Sequence, residues 1–242
     1  MKALIVGAGS STADLLPYKN NLNYDYIVGV GGTFQHWDDI LDCHIVTEKY
    51  LTQQDELNQG SYRTDLLRLV NYKSKHRYNP KYHIVGITRS QMPDNFNTRE
   101  LIPTEADKPI GLLVGPINAD GLSTGSVVLS AIHWCSHKGA TEITLVGVDL
   151  CFKGEYDHYY PDRFYRDQIS KHANAAKPIV VDGISTTDYF YESASVLDNM
   201  MRDVFKDIRF YDMSNGLLKY PTRLIIGVEP HHPLLTQHPI SS

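Results

Sequence analysis

The 242-residue chain is poor in several things at once, and each shortage removes a class of explanation. Cysteine occurs three times, at Cys43, Cys135 and Cys151, an odd number with no C-x-x-C pair. That pattern offers neither a disulfide framework nor a cysteine-based zinc site, and reads as reduced core thiols of a cytoplasmic protein. No apolar run approaches the roughly 20 residues that a membrane-crossing helix needs. The apolar start after Met1 and Lys2 stops at Gly7, Gly9, Ser10 and Ser11, too early for a secretory leader, and reads as a buried first strand. Surplus charge is missing as well: 23 Lys and Arg against 28 Asp and Glu leave −5, spread along the chain rather than gathered in blocks. Such a surface gives no electrostatic footprint for nucleic acid or an anionic bilayer. There is no internal repeat and no low-complexity linker.

What is present is an ordinary globular composition, 42 % hydrophobic and 21 % charged, long enough to bury a full core as one domain over 1–242. Short β-branched runs predict strands at 3–6, 26–30, 44–47, 82–87, 111–114, 143–148, 179–181, 209–211 and 224–228. Helices are predicted at 62–75, 126–138 and 191–206. In the second, Val127, Val128, Ala131, Ile132 and Cys135 form an apolar stripe that Gly139 terminates. Strands alternating with helices imply an α/β fold around a mostly parallel, doubly wound sheet. Such sheets bind ligands beyond the carboxyl ends of their strands, which directs attention to the residues after Val6, Val30, Val46, Val114 and Val148. Segments 90–109 and 152–176 lack a clear pattern. The second is expected to be a small mobile lid, and 230–242, with His231, His232 and His238 among prolines, an irregular tail.

Several strand-end motifs carry chemistry. Gly7-Ala8-Gly9-Ser10-Ser11 precedes a predicted helix and suits either phosphate oxygens or a tight turn that needs small residues. Thr12 stands where G-x-G-x-x-G has its third glycine, and the second strand ends Gly29-Val30-Gly31-Gly32 with no acid, so this is not a standard NAD site. No Gly-Lys-Ser/Thr follows, so it is not a P-loop either. Gly121-Leu122-Ser123-Thr124-Gly125-Ser126 is a second such turn, in which Ser123 or Thr124 serves as helix cap or phosphate ligand. Val146-Gly147-Val148-Asp149 ends a strand on a carboxylate suited to a ribose hydroxyl, a catalytic role or a turn. His133 and His137 have zincin spacing, but Trp134 replaces the general-base Glu, and both are assigned to a solvated face. The chain holds 16 Tyr, and Tyr156, Tyr159, Tyr160 and Tyr165 cluster in the lid with His158, Arg163 and Arg166. His158 and His172 are candidate bases there, and Tyr156, Tyr159 and Arg163 candidate ligand contacts.

Gly7-Ala8-Gly9-Ser10-Ser11, Asp42-Cys43-His44-Ile45-Val46-Thr47, Ser123-Thr124-Gly125 through the helix to Gly139, and Ile143-Thr144-Leu145-Val146-Gly147-Val148-Asp149-Leu150 resemble, in order and spacing, the MptE-like superfamily. That grouping takes in 6-hydroxymethylpterin pyrophosphokinases and the motility-associated Maf flagellin glycosyltransferases. A fainter likeness runs to bacterial family-42 sialyltransferases. The resemblance covers residues 2 to about 150, with weaker echoes at Asp182-Gly183-Ile184-Ser185-Thr186-Thr187 and Tyr211-Asp212-Met213-Ser214-Asn215-Gly216. It implies a Rossmann-like nucleotide-binding domain, with Gly7, Gly9, Ser10, Ser123, Thr124 and Gly125 lining the nucleotide and its phosphate, and Asp149 at the same strand end. Gly31 and Thr47, at the ends of the second and third strands, join that set. The sequence departs from the family pattern in four places, one of them the glycines that end the second strand. Ala8 replaces an Asn of the sialyltransferases, Ile184 corresponds to their catalytic His, and the third strand ends Val46-Thr47-Glu48-Lys49 rather than in an Asp-rich metal site.

The expectation that follows is a glycosyltransferase needing neither metal nor cofactor. Its donor is a nucleotide sugar of the CMP-nonulosonic (sialic-like) type, and its acceptor a glycan or small molecule. Helix N-termini at Ser10-Ser11 and Thr124-Gly125 hold the departing phosphate, and His158 or His172 takes the acceptor's proton. The alternatives are diphosphate transfer from ATP to a pterin alcohol, with Asp149 and Glu48 or Asp42 holding Mg²⁺, and nucleotide binding without catalysis. Homo-oligomerisation is implied by the family.

Overall fold

The computed structural model describes residues 1–46, 67–71, 96–103, 110–116, 126–152 and 178–225. In chain order its strands are β1 (Lys2–Val6), β2 (Tyr26–Val30), β3 (Cys43–Val46), β4 (Leu67–Asn71), β5 (Phe96–Pro103), β6 (Ile110–Pro116), β7 (Glu142–Val146), β8 (Pro178–Val181), β9 (Ile184–Thr187), β10 (Arg209–Asp212) and β11 (Thr222–Arg223). The helices are α1 (Thr12–Leu15), α2 (Phe34–Trp37), α3 (Val127–His137) and α4 (Asp188–Asp203). Nine strands form one sheet in the order β11-β10-β7-β1-β2-β3-β4-β5-β6. From β11 to β4 every neighbouring pair is parallel, and β5 runs antiparallel to both β4 and β6. The molecule is therefore α/β and Rossmann-like, with the mostly parallel sheet predicted.

Buried β1 shows why the sheet is wound on both faces. Ala3, Leu4, Ile5 and Val6 are all fully buried, as expected of a strand covered on both sides. Ala3 and Ile5 belong to the cluster packed under α3 and α4, whereas Leu4 and Val6 pack with Leu15 and Trp37 of α1 and α2. The chain places β2, β3 and β4 successively on one side of β1, then β7 and β10 on the other. That reversal opens the crevice of a doubly wound sheet between the carboxyl ends of β1 and β7.

Helix α3 begins one residue after Ser126, whose hydroxyl accepts from Val128 N–H at 3.2 Å, so the cap is Ser126 rather than Ser123 or Thr124. It ends at Gly139, whose φ of +86° is the left-handed stop expected. Its burial goes beyond the predicted stripe, since Leu129, Ser130 and His133 are also fully buried. The cause is β6, which among the described residues lies at the sheet edge and packs against α3: Leu113 N–H donates to His133 Nδ1 at 3.1 Å, and Ser130 Oγ donates to Leu113 O at 2.7 Å. The assignment of both histidines to a solvated face is thus corrected, for His137 is exposed but His133 is a core residue serving an edge strand.

Other elements also differ from expectation. Within 62–75, predicted helical, Leu67–Asn71 is the strand β4, because it finds ladders on both sides, β3 and β5. The unpatterned segment 90–109 contains β5, whose register with β6 shifts between Asn97 and Thr98. Residues 179–181 do form a strand, β8, but it pairs only with β9 in a separate hairpin that leaves Val180 73 % exposed. Among the described residues the last strand lies at Thr222–Arg223; of the predicted strand 224–228, Leu224 and Ile225 follow it outside any strand, and 226–228 lie outside the described residues. The predicted strand 82–87, the tail 230–242 and the lid beyond Phe152 lie outside the described residues.

Candidate functional site

At the β1/β7 crevice, the chain after Val6 turns back along the end of β7. Gly7 N–H donates to Val146 O and Gly9 N–H to Gly147 O, both at 2.7 Å, and Ser11 N–H donates to Asp149 Oδ2 at 3.0 Å. Alternate N–H groups are consumed this way, while those of Ala8 and Ser10, both half-buried, make no hydrogen bond to any described residue. Side-chain hydroxyls complete the joint: Gly147 N–H donates to Ser11 Oγ at 2.9 Å, and Thr12 Oγ1 donates to Gly7 O at 2.7 Å.

This close approach explains the glycines. A Cβ on Gly7 would stand 2.2 Å from Gly147 O, and one on Gly9 would stand 2.1 Å from Asp149 Oδ2. Gly147, at φ +68°, faces Thr12 Oγ1 in the same way. The turn thus needs small residues because it packs on the 147–149 turn, whatever else it binds. A correction follows for the helix start at Ser10-Ser11. Helix α1 has only four residues, and the buried Asp149 carboxylate already occupies the Ser11 N–H. An anion at that N–H would meet Asp149 instead of an open helix end.

A third segment, 213–218, closes over the same turn. Met213 N–H donates to Leu145 O at 2.8 Å, Leu217 N–H to Asp149 O at 3.1 Å, and Val148 N–H to Ser214 Oγ at 3.1 Å. Gly216 lies flat on the Asp149 backbone, where a Cβ would come within 1.9 Å of Asp149 O. Beneath it, Asp212 is fully buried, accepting from Ser214 N–H at 2.7 Å and paired with Arg223 at 2.7 Å. Burial pushes the Asp212 carboxyl up to about 6, and the nearby Asp149 adds to the rise, against the pull of its Ser214 bonds and of Arg223. Arg223 also donates to the carbonyls of Ser214, Gly216 and Leu218.

Leu150, immediately after Asp149, is held at φ +53°, a strained position for a branched side chain. Its carbonyl accepts from Thr186 Oγ1 at 2.7 Å, and Phe152 N–H donates to Ser185 O at 2.8 Å, which ties β9 to this strand end. Ile184 opens β9 and is half-buried there. Gly31, at φ +62°, follows β2, and its carbonyl bonds Nε2 of the buried His44 at 2.7 Å. Asp42, considered for Mg²⁺, accepts from Ile27 N–H at 2.7 Å and so anchors β2. Among the described residues no three His, Cys, Asp or Glu side chains converge, and no helix is long and apolar enough to cross a membrane.

Of the predicted site residues, Gly7, Gly9, Ser10, Ser11 and Asp149 come together here, and Gly31 lies at the end of β2, the next strand beyond β1. Thr47, Ser123, Thr124, Gly125, Tyr156, His158, Tyr159, Arg163 and His172 lie outside the described residues, as does Glu48. Sequence reasoning passed over Ser214 and Asp212 although their segment echoed the family pattern, and it had no signal for Arg223.

No family model matches the chain, and neither does any curated protein. A solved structure of a Maf glycosyltransferase from Magnetospirillum magneticum AMB-1 is similar to it, with a TM-score of 0.51 and 12 % identity. The superposition covers 92 % of this chain and 33 % of that one, so the chain spans about a third of that protein's length. The likeness is one of fold: this chain folds as part of a Maf glycosyltransferase does.

Proposed function

We propose that the chain is the donor-binding domain of a glycosyltransferase, with the phosphate of a nucleotide-activated sugar lying on the 7–11 turn between β1 and β7. The observation that carries this reading is the pair of N–H groups, on Ala8 and Ser10, that the turn does not use itself. They stand at the strand-order reversal, where doubly wound sheets take their ligands. A chain of net charge −5 has no general attraction for phosphate, so local dipoles of this kind must supply the grip. The fold shared with a protein described as a glycosyltransferase supports the choice of reaction class.

In that reaction the bond between the anomeric carbon and the phosphate oxygen breaks, and its electron pair leaves with the nucleotide. Donors already in place at the departing oxygen favour the transition state over the bound donor. The fainter resemblance to family-42 sialyltransferases implies a CMP-linked nonulosonic acid transferred without metal, and two neutral N–H groups are compatible with its single phosphate. Ser123, Thr124 and Gly125 would add phosphate contacts, as the resemblance implies, and Tyr156, Tyr159 and Arg163 further ones. His158 or His172 would remove the proton of the attacking acceptor hydroxyl.

Thermal unfolding with CMP, CDP, UDP and ATP, each with Mg²⁺ or with EDTA, tests the reading. CMP at about 100 times its Kd is expected to add about 2.7 kcal/mol, several degrees in midpoint, irrespective of EDTA. Stabilisation by ATP only with Mg²⁺ would replace sugar transfer by diphosphate transfer, and no shift with any nucleotide would remove the proposal.

A further inference from the structure

The 7–11 and 147–149 turns bond each other directly, and the segment that covers them is gripped from outside the crevice by Arg223. Its guanidinium donates to three carbonyls within one short stretch of chain, those of Ser214, Gly216 and Leu218, and forms an ion pair with the Asp212 carboxylate. These carbonyls belong to a segment that is neither helix nor strand, so no ladder orients them. The planar fork of an arginine takes the place of one, with five N–H donors in fixed directions. The segment held this way then makes its own contacts with the 147–149 turn, through Ser214 Oγ to Val148 N–H, Leu217 N–H to Asp149 O, and the flat face of Gly216. Asp149 in turn holds the Ser11 N–H, at the end of the 7–11 turn.

We propose that Arg223 is a positioning residue for the donor site: by gripping 213–218 against the 147–149 turn, it fixes Asp149 under Ser11 and so sets the shape of the 7–11 turn. The ligand consequence rests on the donor-site reading given above; the mechanical one does not. Lysine separates this role from simple charge balance, because it keeps a cation beside the buried Asp212 but cannot bond three diverging carbonyls.

The test compares the wild-type chain with Arg223→Lys by amide hydrogen exchange and by CMP titration. Arg223→Lys is expected to keep the protection of the β1 and β2 amides while exchange at Leu217 and Ser11 accelerates at least tenfold, with CMP affinity falling at least tenfold. Wild-type exchange at Leu217 and Ser11 would overturn the proposal, and so would altered exchange with unchanged CMP affinity. Should Arg223→Lys fail to fold, Ser214→Ala removes the hydroxyl that bonds Val148 N–H and the Asp212 carboxylate while leaving the bonds of Arg223 to the three carbonyls in place. It should likewise expose the Val148 and Ser11 amides, and wild-type protection at Ser11 would sink the idea. If the wild-type chain binds neither CMP, UDP nor ATP, the donor reading falls, and exchange at Ser11 and Leu217 alone decides whether Arg223 fixes Asp149.

Discussion

Gly9 and Gly139 are both single glycines at turns, yet their surroundings predict opposite tolerance. A Cβ on Gly9 meets a carboxylate oxygen at 2.1 Å and the Gly147 carbonyl at 2.7 Å, and the carbonyl, being backbone, cannot step aside. Gly9→Ala is therefore expected to cost about 2–3 kcal/mol in urea unfolding, and to abolish nucleotide stabilisation with it. Gly139 has nothing within 4 Å and only its φ of +86° to defend, so Gly139→Ala should cost about 1 kcal/mol. Asp212 adds a pH dependence whose sign is unusual for a carboxylate. Its folded value of about 6 lies above the ordinary 3.8, so the folded chain binds this proton more readily than the unfolded one. Stability from this residue rises as pH falls from about 7 to about 4, and is lost as pH rises through 6. Urea midpoints of wild type and Asp212→Asn, measured at pH 7, 6, 5 and 4, should differ by an amount that follows this slope; a constant difference would refute it.

For the elements, the informative case is α3 against β6. An edge strand leaves N–H and C=O groups unpaired, and here two helix side chains satisfy Leu113 on both counts. Because His133 Nδ1 accepts, it carries no proton, and removing the ring strands a buried donor beside a cavity. His133→Ala is expected to cost about 2–4 kcal/mol by chemical denaturation, whereas the exposed His137→Ala should stay within about 0.5 kcal/mol. Apolar periodicity finds a helix face that meets one partner layer, and it located α3 to within a residue at each end. It cannot find a second buried face built from Ser130 and His133, since polar residues there look the same as solvated ones until β6 arrives. The same limit explains β4: Leu66, Leu67, Leu69 and Val70 suit either a helix face or a strand, and only the ladders to β3 and β5 decide.

Across the whole molecule, the three cysteines report on integrity. Burial pushes the Cys43 thiol up to about 12 and holds Cys135 well above its ordinary value, and Cys151 is buried too. At pH 8 Ellman's reagent should react with Cys43 and Cys135 only as fast as the chain unfolds, and with all three at once in urea. Fast reaction of Cys43 or Cys135 in the folded chain would contradict the packing of β3 against α3. What the sequence alone determined is what short-range pattern encodes. Two-sided burial makes β1 continuously apolar, a helix stripe ends at Gly139, and small residues crowd the turn after Val6. What tertiary structure decided is which distant segments meet. Ser11 bonds a carboxylate 138 residues away, and Asp212, Ser214 and Arg223 converge beneath the same turn. Local pattern records only that a residue is buried or turning. The partner it finds there depends on strand order, and the reversal between β1 and β7 exists only once the sheet has formed.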